Sequence, residues 1–181
     1  MLATFSLMLS PSVDASFTKK THISSMAKLK KSAIFMKKQP ITEPLAGPIS
    51  TQGQEVYASI AYIAPSFVGT PYLYGGKTPE GFDCSGFIHY VHQEAGLDIA
   101  RMSSEDYYKQ ASKVIVPEVG DLVFFKDTYK AGISHMGIYI GDNQFVHAAS
   151  KDRGVEITKL DNPYWKQHFV AFKRFNSVTA N

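Results

Sequence analysis

The chain carries one cysteine, Cys84, and six histidines: His22, His89, His92, His135, His147 and His168. A thiol and an imidazole together can do covalent chemistry at an acyl carbon. The thiolate attacks, and the imidazole takes the thiol proton and later hands a proton to the leaving group. A lone cysteine forms no disulfide within its own chain, so it is either a small buried apolar side chain or a reactive one. The neighbourhood of Cys84 points to the reactive alternative. Asp83 suits a helix N-cap, which puts Cys84 in the first turn. There the free N–H groups and the positive end of the helix dipole stabilise a thiolate, and could also receive a developing oxyanion. Gly81 and Gly86 flank the site and let another backbone approach closely.

The histidines divide by context. His22 lies in a lysine-rich stretch. His89 and His92 share a predicted helix with Cys84, with His89 on a different face, and His168 follows a Trp-Lys-Gln run that reads as surface. His135 and His147 fall on one predicted hairpin. If Met136, Ile138 and Ile140 share a face with Val146 and Ala148, then His135, Gly137 and Tyr139 share the other with Phe145, His147 and Ala149. Same-face pairing needs a loop of odd length. A three-residue loop, Gly141-Asp142-Asn143, sets His147 opposite Gly137 and diagonal to His135, at roughly 7–8 Å between backbones and within reach of two rings. A two-residue loop would put the histidines on opposite faces. In the first register His135 is the base and His147 fixes its tautomer from the other ring nitrogen. Gly137 leaves room beside the rings, and Tyr72 could aim its hydroxyl at the oxyanion.

The elements that must position these groups follow from periodicity. Val56, Ile60, Ile63 and Phe67 predict a helix over 54–67, ended or kinked by Pro65. Phe87, Ile88, Val91 and Ala95 predict the buried stripe of the Cys84 helix, closed by Gly96. Ser103 and Asp106 resemble a capping box for a short third helix. After Pro117 the texture changes. Runs at 122–125, 136–140, 144–148, 155–158 and 169–172 predict strands separated by Gly, Asp and Asn. Helices first and strands after predict an α+β fold, helices packed on one side of an antiparallel sheet of about five strands.

Charge is unevenly spread. The net charge is +3, yet residues 17–40 hold seven lysines and no acid, and 1–16 hold only Asp14, so 41–181 carry −3. A nucleic-acid-binding domain would carry positive charge on its folded part, so no nucleic-acid partner is expected. Residues 1–15, a short apolar run before Val13-Asp14-Ala15, resemble a secretory signal peptide without a basic start. Residues 16–52, rich in Ser, Thr, Lys and Pro, read as a flexible basic linker, a solvated tether or an electrostatic contact with anionic wall polymers or membrane. The catalytic domain is expected over 53–176. No stretch approaches the ~20 apolar residues that span a bilayer.

Five segments in order carry a resemblance: Gly69-Thr-Pro-Tyr-Leu-Tyr-Gly-Gly76, Gly81-Phe-Asp-Cys-Ser-Gly-Phe87, Pro117 to Phe125 with Gly-Asp-Leu-Val-Phe-Phe, Ile133-Ser-His-Met-Gly-Ile-Tyr-Ile-Gly141 and Phe145-Val-His-Ala148. Over about 54–175 the chain resembles the NlpC-type cell-wall endopeptidases, which are papain-like cysteine peptidases. The resemblance implies Cys84 as nucleophile, His135 as base and His147 as its orienting partner. It implies Tyr72 beside the cysteine, with Asp83 and Ser85 lining the substrate site. It also implies no metal or organic cofactor, an exported location in the periplasm or cell envelope, and peptidoglycan stem peptides as substrate, cut between the side-chain carboxyl of D-glutamate and diaminopimelate or lysine. Arg101-Met-Ser matches the family's Arg-x-Ser segment, but Asp106 stands where relatives often carry glutamine. Two alternatives stay open: an acyltransferase or amidase on the same fold, and a non-catalytic wall-binding module.

Overall fold

The computed structural model describes residues 43–178, so the expected leader 1–15 and most of the basic stretch 16–52 lie outside the described residues. Helix α1 spans Thr51–Ile63 and starts three residues before the periodicity predicts, because Ser50 Oγ caps it by accepting from Gly53 N–H at 3.0 Å. The α-helix ends at Ile63, just before Pro65, as expected, and the chain turns on without straightening. Pro65 opens a 3₁₀ turn, Ala64–Phe67, where a missing N–H costs nothing. Strands β1 (Lys77–Thr78) and β2 (Gly81–Phe82) form a small antiparallel ribbon that feeds helix α2, Cys84–Glu94. Helix α3 (Ser104–Gln110) is capped by Ser103 as its sequence predicts. There follow β3 (Ser112–Val114), β4 (Leu122–Lys126), β5 (Ile133–Gly141), β6 (Gln144–Ser150), β7 (Gly154–Lys159), helix α4 (Pro163–His168) and β8 (Phe169–Arg174).

The main sheet is antiparallel with six strands in the order β3-β8-β4-β5-β6-β7, one more than the five expected. The additional strand is β3, which pairs with β8 at the sheet edge. Three residues, Ser-Lys-Val, are too few for an alternation to register in the sequence. Beyond β3, Leu45 makes a parallel bridge to Lys113, and Glu43 lies 3.3 Å from the buried Lys173 ammonium. Residues 43–46 thus cover part of that edge.

The two faces of the sheet are built from alternate residues. Leu122, Phe124, Met136, Ile138, Val146 and Ala148 are at most 1% exposed and pack with Ile60 of α1 and Phe87, Ile88 and Val91 of α2. On the other face Phe125, Phe145 and Trp165 of α4 form an aromatic cluster, with ring centroids 4.8–5.5 Å apart. Full burial of one such ring contributes roughly 2–3 kcal/mol, so both layers hold the sheet.

The β5–β6 hairpin reaches the predicted facing by a different route. Asp142 and Asn143 both have positive φ, 46° and 63°, and make a two-residue turn between Gly141 and Gln144, which pair. Alone, that turn would put the histidines on opposite faces. A bulge between Tyr139 and Gly141 inserts one residue and restores an even sum, so Tyr139 pairs with Phe145 and Ile138 with Val146. The same register brings His147 beside Gly137, where a Cβ would lie 3.1 Å from that of His147 and 2.8 Å from Val146 O. Only glycine fits there.

Candidate active site

Cys84 is the first residue of α2, behind its N-cap Asp83. The Asp83 carboxylate is fully engaged. One oxygen accepts from Gly86 N–H at 2.6 Å and Ser85 Oγ at 3.1 Å, the other from Gly75 N–H at 3.0 Å. Arg101 donates to both oxygens, at 2.8 and 2.7 Å, and to Ser85 Oγ at 2.7 Å. It is also bonded to Met102 O. Both bonds to the carboxylate come from one nitrogen, Nη2, while Nη1 holds Ser85 and Met102, so the guanidinium bridges several groups at once. It pins the segment before α3 to the loop and helix start that carry Cys84. In the sequence Arg101 stands out only as a motif residue, and nothing in its spacing from Asp83 signals the pair.

The thiol is 4% exposed, and burial pushes its pKa up to about 12, with the Asp83 carboxylate adding to the rise. The N–H groups of Ser85 and Cys84 and the charge of Arg101 act in the opposite direction. The helix start therefore favours the thiolate, as expected, but does not by itself outweigh desolvation. At neutral pH the group is a protonated thiol. Tyr72 is half-buried, and its hydroxyl is pushed up to about 12 by burial and then by the charges of Cys84 and Asp83. The exposed Tyr129, in the β4–β5 loop, feels the same two charges. Both tyrosines thus lie within electrostatic reach of the thiol.

His135 and His147 are brought together. His135 Nε2 lies 2.7 Å from His147 Nδ1, with the rings 82° apart. Both are buried, at 3% and 0% exposure. His135 enters β5 just after a bulge at Ser134, whose hydroxyl holds Thr128 in the preceding loop. Its ring stacks on Trp165 at 4.9 Å and 29°, while Phe145 lies 4.4 Å from the His147 ring. Trp165 is a site residue that sequence reasoning passed over, although it is the chain's one tryptophan. Burial holds the pKa of both imidazoles below the usual histidine value, and for His135 the neighbouring His147 and Arg153 push the same way. Both are therefore neutral at neutral pH. With Nε2 bonded to His147, Nδ1 is the nitrogen of His135 left to take a proton.

The two halves meet where α2 packs on β5 and β6. No hydrogen bond joins the Cys84 thiol to either imidazole. Two other described histidines hold the fold. His92 is buried in α2, with Nδ1 bonded to Ile88 O at 2.8 Å, and His168 bonds Lys126 O at 2.8 Å and ties α4 to β4. Among the described residues no group of three or more His, Cys, Asp or Glu is arranged to hold a metal ion. No described helix is long and apolar enough to cross a membrane.

Comparison with known proteins gives the same region. A probable peptidoglycan endopeptidase of Bacillus subtilis, LytE, is 51% identical over 112 residues, covering 62% of this chain and 32% of that protein. A gamma-DL-glutamyl hydrolase of the same organism is 42% identical over 120 residues, covering 64% and 29%. The chain thus spans about a third of the length of these relatives. A crystal structure from Staphylococcus aureus, described as similar to a lipoprotein of the NLP/P60 family, superposes with a TM-score of 0.59 at 31% identity, covering 75% of this chain and 44% of that one. The model of the NlpC/P60 family matches residues 69–174, from the loop before Cys84 to the end of β8, and the chain belongs to that family.

Proposed function

We propose that the domain is a cysteine endopeptidase acting on the peptide stems of peptidoglycan, at the bond between the side-chain carboxyl of D-glutamate and diaminopimelate or lysine. The observation that carries this reading is the 2.7 Å bond between two buried, neutral imidazoles on strands against which the Cys84 helix packs. Two relatives, one named a probable peptidoglycan endopeptidase and one a gamma-DL-glutamyl hydrolase, support the substrate class. The substrate lies outside the cytoplasmic membrane, so the enzyme acts in the cell envelope. The basic stretch 16–52 tethers the domain 53–176 there, and residues 1–15 are its export signal.

In this mechanism His135 Nδ1 takes the Cys84 proton as sulfur attacks the amide carbonyl. Spacing between nucleophile and base commonly tightens only when substrate is bound. The oxyanion is met by N–H groups at the start of α2 and by the Tyr72 hydroxyl. The C–N bond breaks, His135 returns the proton to the leaving amine, and a thioester remains on Cys84. Water then adds with His135 again as base, and the carboxylate and free thiol are regenerated. His147 holds the His135 ring and its tautomer, while Asp83, Arg101 and Ser85 hold the loop that receives the stem.

The test is digestion of purified muropeptides with mass spectrometry of the products. A new free amine on diaminopimelate or lysine, with Cys84→Ala and His135→Ala inactive but folded, is the expected result. Cleavage elsewhere, or turnover retained in either variant, rejects the assignment.

A further inference from the structure

The hydrogen-bonded series that begins at His135 does not end at His147. β6 and β7 pair with His147 opposite Glu156 and Phe145 opposite Thr158, so Glu156 and Thr158 share the face of the histidines. His147 Nε2 lies 3.2 Å from Thr158 Oγ1 and 3.6 Å from Glu156 Oε1. The Thr158 hydroxyl donates to Glu156 Oε1 at 3.1 Å. Arg153, in the β6–β7 turn, donates to the same oxygen at 2.8 Å. His147 is fully buried and the Glu156 side chain is 24% exposed, so the series runs from the interior to a partly shielded carboxylate.

Two neutral imidazoles joined Nε2 to Nδ1 share one proton in that bond, and it sits on one ring or the other. If His135 carries it, His135 Nδ1 keeps its lone pair and can accept from a thiol. His147 then carries its own proton on Nε2 and donates outward. If His147 donates to His135 instead, His135 must carry its proton on Nδ1 and is useless as a base toward sulfur. His147 Nε2 would then turn a lone pair toward Thr158 and Glu156. A carboxylate has only acceptors. It therefore favours the first arrangement, in which His135 donates to His147, His147 to Thr158 and Thr158 to Glu156.

We propose that Glu156, acting through Thr158, is a positioning residue that sets the direction of the protons in this series and so keeps the Nδ1 lone pair of His135 free. The inference deepens the peptidase reading and rests on His135 as the base. Glu156 also favours a positive charge on the pair in the transition state, which Arg153 opposes. These two are the charged groups that bear on the histidines. β4 and α4 contribute Phe125 and Trp165, which carry no charge.

The experiment uses the full chain with ¹⁵N-labelled histidine and the variants Glu156→Gln, Thr158→Val and Thr158→Ser. In the native chain the His135 proton is expected on Nε2. In Glu156→Gln the side chain gains an amide donor, the series can reverse, and a His135 form protonated on Nδ1 should appear. On stem peptides kcat should fall by about tenfold or more with KM nearly unchanged, short of the roughly 10⁴-fold loss seen when the group touching the base is lost. The limb of the pH–rate profile set by the histidine pair should move to lower pH, since a negative charge beside it is gone. Thr158→Ser should restore the native tautomer and rate, and Thr158→Val should not. Melting temperature separates these effects from misfolding. The proposal is overturned if native His135 is protonated on Nδ1, or if Glu156→Gln keeps the native tautomer whatever its activity. The tautomer is read without turnover, so an active His135→Ala would reject His135 as the base while leaving the proton direction in the series legible.

Discussion

Two buried polar clusters share one sheet and differ in kind. In the first, Asp121 at the start of β4 and Arg174 at the end of β8 form a bidentate pair at 2.7 and 2.8 Å, and Tyr57 of α1 donates to Asp121 at 3.0 Å. Asp121 is 0% and Arg174 3% exposed. Arg174 reaches on to Glu118 and Gly47 O, each at 3.3 Å. Every charge has a fixed partner, and burial with the Asp121 charge drives the Tyr57 hydroxyl far above its ordinary value. The Tyr57 hydroxyl and the Arg174 guanidinium both keep their protons near neutral pH. The second cluster, His135 to Glu156, is equally buried at its inner end but is made of groups that share protons and can change which atom carries them. The first cluster clamps α1, β4 and β8 together. The second joins two imidazoles, a hydroxyl and a carboxylate whose shared protons have a direction. Burial of polar groups alone therefore does not mark a functional site, whereas burial of neutral, titratable groups in a directed series does.

The contrast is broken most severely at the nucleophile and base. Cys84→Ala and His135→Ala should each lower kcat/KM by at least about 10³-fold, because members of such a unit fail together. Cys84→Ala should leave the melting temperature near that of the native chain, whereas His135→Ala, which opens a cavity against Trp165 and removes the partner of His147, should lower it; calorimetry checks both. Arg174→Ala should do the reverse. It strands the Asp121 carboxylate in the interior, at a cost of about 3–5 kcal/mol. The unfolding midpoint in urea should fall accordingly while kcat of the folded fraction holds. If Arg174→Ala instead left stability intact and abolished turnover, the division into clamp and site would be wrong.

Acid should sharpen the same division. His92, His135 and His147 are neutral and buried, and their folded pKa values lie below the unfolded value of about 6.5. The unfolded chain therefore binds more protons as pH falls through that value, and stability drops progressively. For His92, whose pKa is pushed down to about 4, the window runs from about pH 6.5 to about 4, a loss of roughly 3 kcal/mol. Urea titrations at several pH values should show it, and His92→Leu should flatten the curve. A smaller effect is expected from Arg153→Ala. Arg153 is half-exposed and disfavours positive charge on both histidines. Its removal should move the histidine limb of the pH–rate profile upward by a few tenths of a unit, opposite in sign to Glu156→Gln.

Residue types and short-range spacing already determined much of this protein. The N-caps Asp83 and Ser103, the stripe Phe87-Ile88-Val91, five strands of the sheet and the pairing of His135 with His147 could be read from the chain, since caps, stripes and alternation are local consequences of side-chain chemistry. The tertiary structure alone decided that a bulge, and not the turn's length, sets the hairpin register. It also decided that β3 joins β8, that Arg101 locks the cap before Cys84, that Trp165 backs His135, and that β7 supplies Thr158 and Glu156 to the histidines. Each of these joins residues distant in sequence or turns on one inserted residue. Nothing in the local pattern of either partner specifies the other, and only packing of the whole sheet brings them within bonding distance.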